Sequence, residues 1–218
     1  MNTLPVPVRQ QKTEIATPPQ ATLSRDQIDL LKRTICRKGT DDELRLFVSQ
    51  CNRSGLDPFT GQIYASFRWD NDLKREVMKA QTGIEGLRLI AARTGLYEGT
   101  EGPLWCGKDG KLVELWLEDT VPVAAIAKVY RNGHKVPTAG KVLWKEFAQY
   151  KKDGTLTAMW AKMPVNQLGK CAEAQALRKA FPQELGGFYI PEEIRAEIQG
   201  DLVEQPAAQP NEKRPRAQ

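Results

Sequence analysis

Pro164-Val165-Asn166-Gln167-Leu168-Gly169-Lys170-Cys171-Ala172-Glu173-Ala174-Gln175-Ala176-Leu177-Arg178-Lys179-Ala180-Phe181 is the stretch on which the fold turns. Pro164 suits a first helical turn, where its missing N–H is not needed, and Pro182 stops the helix. At about 100° per residue, Val165, Leu168, Ala172, Ala176 and Ala180 share one arc. Small residues on that arc let a helix lie close against a sheet. The opposite arc carries Asn166, Gln167, Lys170 and Arg178. An arc of amides and cations suits a phosphate backbone, and it equally describes an ordinary amphipathic surface helix.

Upstream, the sequence supplies the sheet. Leu104 to Cys106, Leu112 to Glu118 and Val123 to Tyr130 read as strands, with Asp109-Gly110 and Asn132-Gly133 where hairpin turns belong. A helix is expected from about Val142 to Tyr150. Further back, Gln62 to Trp69 and Glu76 to Ala80 form a strand pair about the Asp70-Asn71-Asp72 loop. Ser24 with Gln27, Thr40 with Glu43, and Thr82 with Glu85 have capping-box spacing and open three helices, closed by Gly39, Gly55 and Gly95. Pro191 to Ile198 is expected as a short last helix. The fold class is therefore α+β, a small antiparallel sheet flanked by helices. Pro- and Gln-rich ends are expected as disordered tails at 1–22 and 200–218, around one core domain at 23–199.

Composition excludes several classes. No apolar run approaches the ~20 residues that span a bilayer, and the N-terminus lacks a secretory h-region, so a cytoplasmic protein is expected. Cys36, Cys51, Cys106 and Cys171 have no C-x-x-C spacing, and His134, the only histidine, follows a turn signal. A zinc site or an imidazole triad has little to build on. There is no G-x-x-x-x-G-K-[ST] phosphate loop, so nucleotide-driven chemistry is not expected. Asp70, Asp72, Glu76 and Glu85 are the one set of acids that suggests a metal-dependent nuclease. Lys74 and Arg75 beside the first two favour a solvated turn.

The net charge is +5, and its distribution is uneven. From 96 to 123 six acids face two bases, whereas from 124 to 179 eleven bases face three acids. A basic stretch of that length points to a polyanion partner. Within it Trp144, Phe147, Tyr150 and Trp160 alternate with Lys141, Lys145, Lys151, Lys152 and Lys162. Lysines neutralise phosphates and aromatic faces stack unpaired bases, so the combination favours single-stranded nucleic acid. The spacing of 144, 147 and 150 also fits the apolar stripe of a helix, which is the preferred reading for Phe147. For Trp160, between Met159 and a turn that contains Lys162, a base-facing role is favoured over the core.

Three segments resemble the Redβ-type (Bet) branch of the RecT-like single-strand annealing proteins of phages. They are Cys51 to Ala65, with Gly55-Leu56-Asp57-Pro58-Phe59 before Ile63-Tyr64-Ala65; Gln81 to Arg93, with Gly83, Gly86 and Ile90; and Trp160 to Phe181, continuing to Gly187-Phe188-Tyr189. The likeness covers about residues 23–195. It implies an ATP-independent protein, not an enzyme, that pairs complementary strands after exonuclease resection. It implies rings or helical filaments on single-stranded DNA and on the annealed duplex intermediate. No cofactor is obligatory, with magnesium at most an aid to annealing. By motif it carries over Trp160, Lys170 and Arg178 as groove residues, joined by Lys79 and Arg88. Here Val165, Asn166 and Gly169 stand where some relatives are basic. Only a short tail follows Gln199, where many relatives carry a domain that contacts the exonuclease and a host single-strand-binding protein.

Overall fold

The computed structural model describes residues 22–151 and 153–193, and both tails and Lys152 lie outside the described residues. Helix α1 (Arg25–Arg33) begins at a complete capping box. The Gln27 amide N–H donates to Ser24 Oγ, and the Ser24 N–H donates to the Gln27 side chain. Thr40 and Glu43 open α2 (Asp41–Ser54) in the same reciprocal way, and Gly55 ends it at φ +63°. Strands β1 (Ile63–Asp70) and β2 (Arg75–Thr82) form an antiparallel hairpin in continuous register from Ile63↔Thr82 to Asp70↔Arg75. Leu31, Phe47, Cys51, Ile63 and Met78 bury a first core between this hairpin and the two helices.

Helix α3 (Ile84–Arg93) follows, but its cap differs from the expected Thr82–Glu85 box. The N-cap is Gly83, with no side-chain bond. Thr82 is buried in the ladder opposite Ile63, so its hydroxyl is not free to cap. Glycine is required here by close approach: a Cβ on Gly86 would sit 2.4 Å from the Gln62 carbonyl oxygen.

The second sheet has the order β4-β3-β5-β6, all antiparallel, from β3 (Tyr97–Cys106), β4 (Leu112–Val113), β5 (Ala124–Arg131) and β6 (Thr138–Leu143). The expected strand from Leu112 to Glu118 is cut to two residues, because Trp116 turns back and donates its indole N–H to the Thr120 carbonyl. The expected helix over 142–150 is replaced by β6 and a single turn, α4 (Trp144–Phe147). Val142 pairs with Ala125 instead, so strand pairing overrides a helical spacing that Thr138-Ala139-Gly140 gave no composition to contradict.

After α5 (Ala158–Lys162), helix α6 (Pro164–Ala180) crosses the sheet over β5 and β6. Its alanine arc is the contact. Ala172, Ala176 and Ala180 are fully buried with Ala125, Ala127, Val129 and Val142. A Cβ on Gly140 would lie 2.1 Å from the Ala172 carbonyl oxygen and 2.5 Å from the Ala176 nitrogen. Backbone therefore rests on backbone, and neither side can yield as a side chain would. Gly140→Ala is expected to destabilise the fold by about 1–3 kcal/mol through overpacking, read as a lower denaturant midpoint at unchanged slope. The helix is buried on more than its alanine arc: Gln167 and Glu173 are buried too, so α6 is a central helix.

Pro182 starts a further turn, α7 (Pro182–Leu185), and a 3-10 turn covers Pro191–Glu193. The rest of the expected last helix lies outside the described residues. Ile90 and Phe188 touch both cores and join them. The class is α+β, with two small antiparallel sheets among helices. No helix of the described residues is long and apolar enough to cross a membrane.

Candidate nucleic-acid interface

The candidate cations divide into two groups by whether the chain already neutralises them. Arg88, Lys170 and Arg178 are neutralised. The Arg88 guanidinium donates to both carboxylate oxygens of buried Glu173 at 2.7 Å each and to Glu85 at 2.7 Å. The Glu173 hydrogen bond raises the Arg88 pKa, against the opposing effect of burial. Lys170 reaches Glu192 at 3.0 Å, and Arg178 forks onto both oxygens of Glu193 while lying over the Tyr189 ring. Arg178 and Glu193 side chains are 17% and 4% exposed, so this is a largely buried pair. Gln149 donates to the Pro191 and Glu192 carbonyls and holds the same turn from the other side.

Lys170 and Arg178 thus act as anchors for the 189–193 segment, and a phosphate would have to compete with Glu192 and Glu193 for them. A cleft of about 530 Å³ beside them is lined by Arg88, Glu85, Trp105, Asn166, Lys170 and Glu173. The two cations there both have carboxylate partners. Removing the charge of Glu193 leaves the Arg178 fork facing a neutral amide. Glu193→Gln is expected to lower stability by about 2 kcal/mol, the worth of a hydrogen bond to a charged group, in equilibrium denaturation.

Lys79, Lys141, Lys145, Lys151 and Lys162 form the second group. All five are exposed, and none forms an ion pair among the described residues. Lys79 lies on β2 opposite Ser66. Lys141 lies on β6 opposite Ile126, between Gly140 and Val142, which face α6. Alternation along a strand therefore turns Lys141 to the other face of the sheet. Its backbone N–H is capped by the Gln175 side chain at 2.8 Å, which closes part of the sheet edge.

The other three sit on one compact unit. Trp144 of α4 and Trp160 of α5 meet edge to face with centroids 5.3 Å apart. A bridge between Tyr150 and Leu156 closes the loop between them. Lys145 and Lys162 flank the tryptophan pair in sequence, and Lys151 follows exposed Tyr150. Lys152 lies outside the described residues.

Trp160 is only 1% exposed. Its ring is enclosed by the main core, which favours packing over the base-facing alternative. Burial comes without a partner for its indole N–H among the described residues. Of Trp144, Phe147, Tyr150 and Trp160, the one counted as exposed is Tyr150, at 47%. It stood in the interleaved pattern of the sequence, but nothing there distinguished it from the buried rings.

The acids of the nuclease alternative do not converge. Asp70 accepts the Asp72 and Leu73 amides in the hairpin turn, Glu76 pairs with Lys38, and Glu85 pairs with Arg88. No group of three or more His, Cys, Asp or Glu placed to hold a metal ion occurs among the described residues. Burial raises the thiol pKa of Cys36, of Cys51 to about 12, and of Cys171, which disfavours the thiolate a nucleophile needs.

The RecT family's sequence model matches residues 21–206. The chain belongs to the RecT family. None of the curated proteins compared with it matches. RecT membership places the chain among DNA-binding proteins of recombination that anneal single strands. The segments that carry the RecT likeness are scaffold in this chain. The 55–65 turn docks on the 81–93 helix through Gln62, whose carbonyl accepts the Gly83 N–H at 2.9 Å. The third segment supplies α6, whose backbone lies on Gly140. A Cβ on Gly169 would lie 2.9 Å from Pro103 Cγ and 3.4 Å from the Trp105 ring.

Proposed function

We propose that this RecT-family chain is an ATP-independent single-strand annealing protein. It coats strands exposed by an exonuclease, as an oligomer, and speeds their pairing with complementary strands. The observation that carries this reading is the set of exposed lysines at 141, 145, 151 and 162, none of which forms an ion pair among the described residues, with exposed Tyr150 in the same stretch of chain. Such a surface attracts phosphates through counterion release and offers a ring for an unpaired base. A duplex hides its base faces, so this chemistry favours single strands. Duplex formation supplies the free energy, so the chain needs no nucleotide and performs no covalent step. Magnesium acts only by screening phosphates as two strands approach. The partners are single-stranded DNA, the annealed intermediate, further copies of the chain, a phage exonuclease and a host single-strand-binding protein. The compartment is the cytoplasm.

The test mixes the purified protein with complementary labelled oligonucleotides, with and without magnesium and without nucleotide. Accelerated pairing of intact strands is the expected result. Shortened products mean a nuclease, and slowed pairing means a passive single-strand binder.

A further inference from the structure

The segment after β4 presents apolar side chains to solvent in a fixed arrangement. Trp116 is held inward: its indole N–H donates to the Thr120 carbonyl at 2.6 Å, and its ring lies against Gly107. Leu115 and Leu117 flank it and stand outward, 67% and 82% exposed. Leu117 is the most exposed large apolar side chain among the described residues. Exposed Glu114, Glu118 and Asp119 surround the pair. The result is a leucine-tipped, acidic prong.

A matching recess lies elsewhere on the same chain. Between α1 and α2 runs a groove of about 570 Å³ floored by Ile28, Leu44 and Val48. Lys32, Arg45 and Arg53 stand on its rim against Asp29 and Asp41, and Lys32 is already paired with Asp41. Arg45 meets Asp42 one turn away at 3.3 Å, with both side chains largely in solvent, a weak and screened pair. The rim therefore offers Arg45 and Arg53 to an acidic partner.

We infer that the leucine prong of one copy seats in the α1–α2 groove of the next. Apolar tip matches apolar floor, and Glu114, Glu118 and Asp119 match Arg45 and Arg53. Phosphate is a poor occupant for either surface, because the prong is acidic and the groove floor apolar. The groove belongs to the core formed with the first hairpin, and the prong is an excursion of the second sheet. The two surfaces of the contact are different, so it is heterologous and repeats head to tail, giving a ring or an open filament. This inference rests on the reading of the chain as an assembling annealing protein, and it names the surface through which it assembles.

Sedimentation of the full chain across a concentration series, with and without single-stranded DNA, tests it. Leu115→Asp with Leu117→Asp is expected to raise the assembly midpoint at least tenfold. All sites changed are exposed, so melting temperature stays at the wild-type value. Arg45→Glu with Arg53→Glu, and separately Glu114→Lys with Asp119→Lys, are each expected to impair assembly. Mixing these two charge-reversed proteins is expected to restore association between them. Wild-type assembly by the leucine variant, or failure of the mixed pair to associate, overturns the inference. So does a wild-type chain that stays monomeric in both conditions. Pairing of complementary oligonucleotides, measured on the same samples, separates the two ideas. Restored association without accelerated pairing supports the interface and defeats the annealing reading; accelerated pairing without charge-swap recovery does the reverse.

Discussion

Replacing Lys141, Lys145, Lys151 and Lys162 together by alanine is expected to weaken single-stranded DNA binding about a thousandfold at 50 mM salt, while leaving the fold intact. Each lysine is exposed and forms no ion pair among the described residues, so its removal is expected to cost the fold little. For single strands, each phosphate contact contributes a log–log salt slope of about −0.7. Four lost contacts should flatten that slope by about three units. Fluorescence anisotropy titrations between 50 and 300 mM salt measure both quantities. An unchanged slope would place the phosphate contacts on other cations. Arg88, Lys170 and Arg178 are poor substitutes, since each is already held by a carboxylate.

Trp160→Ala is expected to have the opposite profile. The indole is enclosed by the main core and packs edge to face on Trp144. Truncation should cost about 3–5 kcal/mol of stability through the lost packing and the cavity left behind. The fraction that remains folded should bind DNA with nearly wild-type affinity and salt slope. Circular dichroism melting beside the binding titration reads both. A companion substitution, Tyr150→Ala, should leave melting almost unchanged and weaken binding by roughly 1–3 kcal/mol, because an exposed ring can stack a base. If Trp160→Ala melted like the wild type and lost DNA affinity, the assignments of the two aromatics would have to be exchanged.

The two tryptophan and tyrosine assignments show where sequence reasoning reaches its limit. Capping boxes at Ser24 and Thr40, the alanine arc of α6 and the hairpin at 63–82 are local patterns, and local patterns survive into the structure. The Thr82 box failed because that side chain was needed in a ladder, which is a tertiary demand. Strand β6 was missed because Thr138-Ala139-Gly140 has little β character of its own. Its pairing with β5 and the close approach of α6 define it.

The candidate site divides along the same line. The exposed lysines of 141–162 were legible as an excess of charge, since solvated charge leaves a one-dimensional signature. The internal neutralisation of Lys170 and Arg178 was not, because Glu192 and Glu193 lie 22 and 15 residues away in sequence. Motif likeness led toward α6 for a related reason. The positions that match the RecT pattern include those that set backbone against backbone at Gly83, Gly86 and Ala172. A pattern carried by packing constraints identifies the scaffold first and the binding surface only indirectly.

The most direct measurement of the central claim is the pairing rate of complementary oligonucleotides in EDTA without nucleotide, for the wild type and the four-lysine variant side by side. The wild type is expected to accelerate pairing well above the protein-free rate with strands intact. The variant, with an unchanged melting temperature, is expected to return the rate to the protein-free value. A wild type that leaves the pairing rate unchanged or slows it, or a variant that anneals as fast as the wild type, would contradict the central claim.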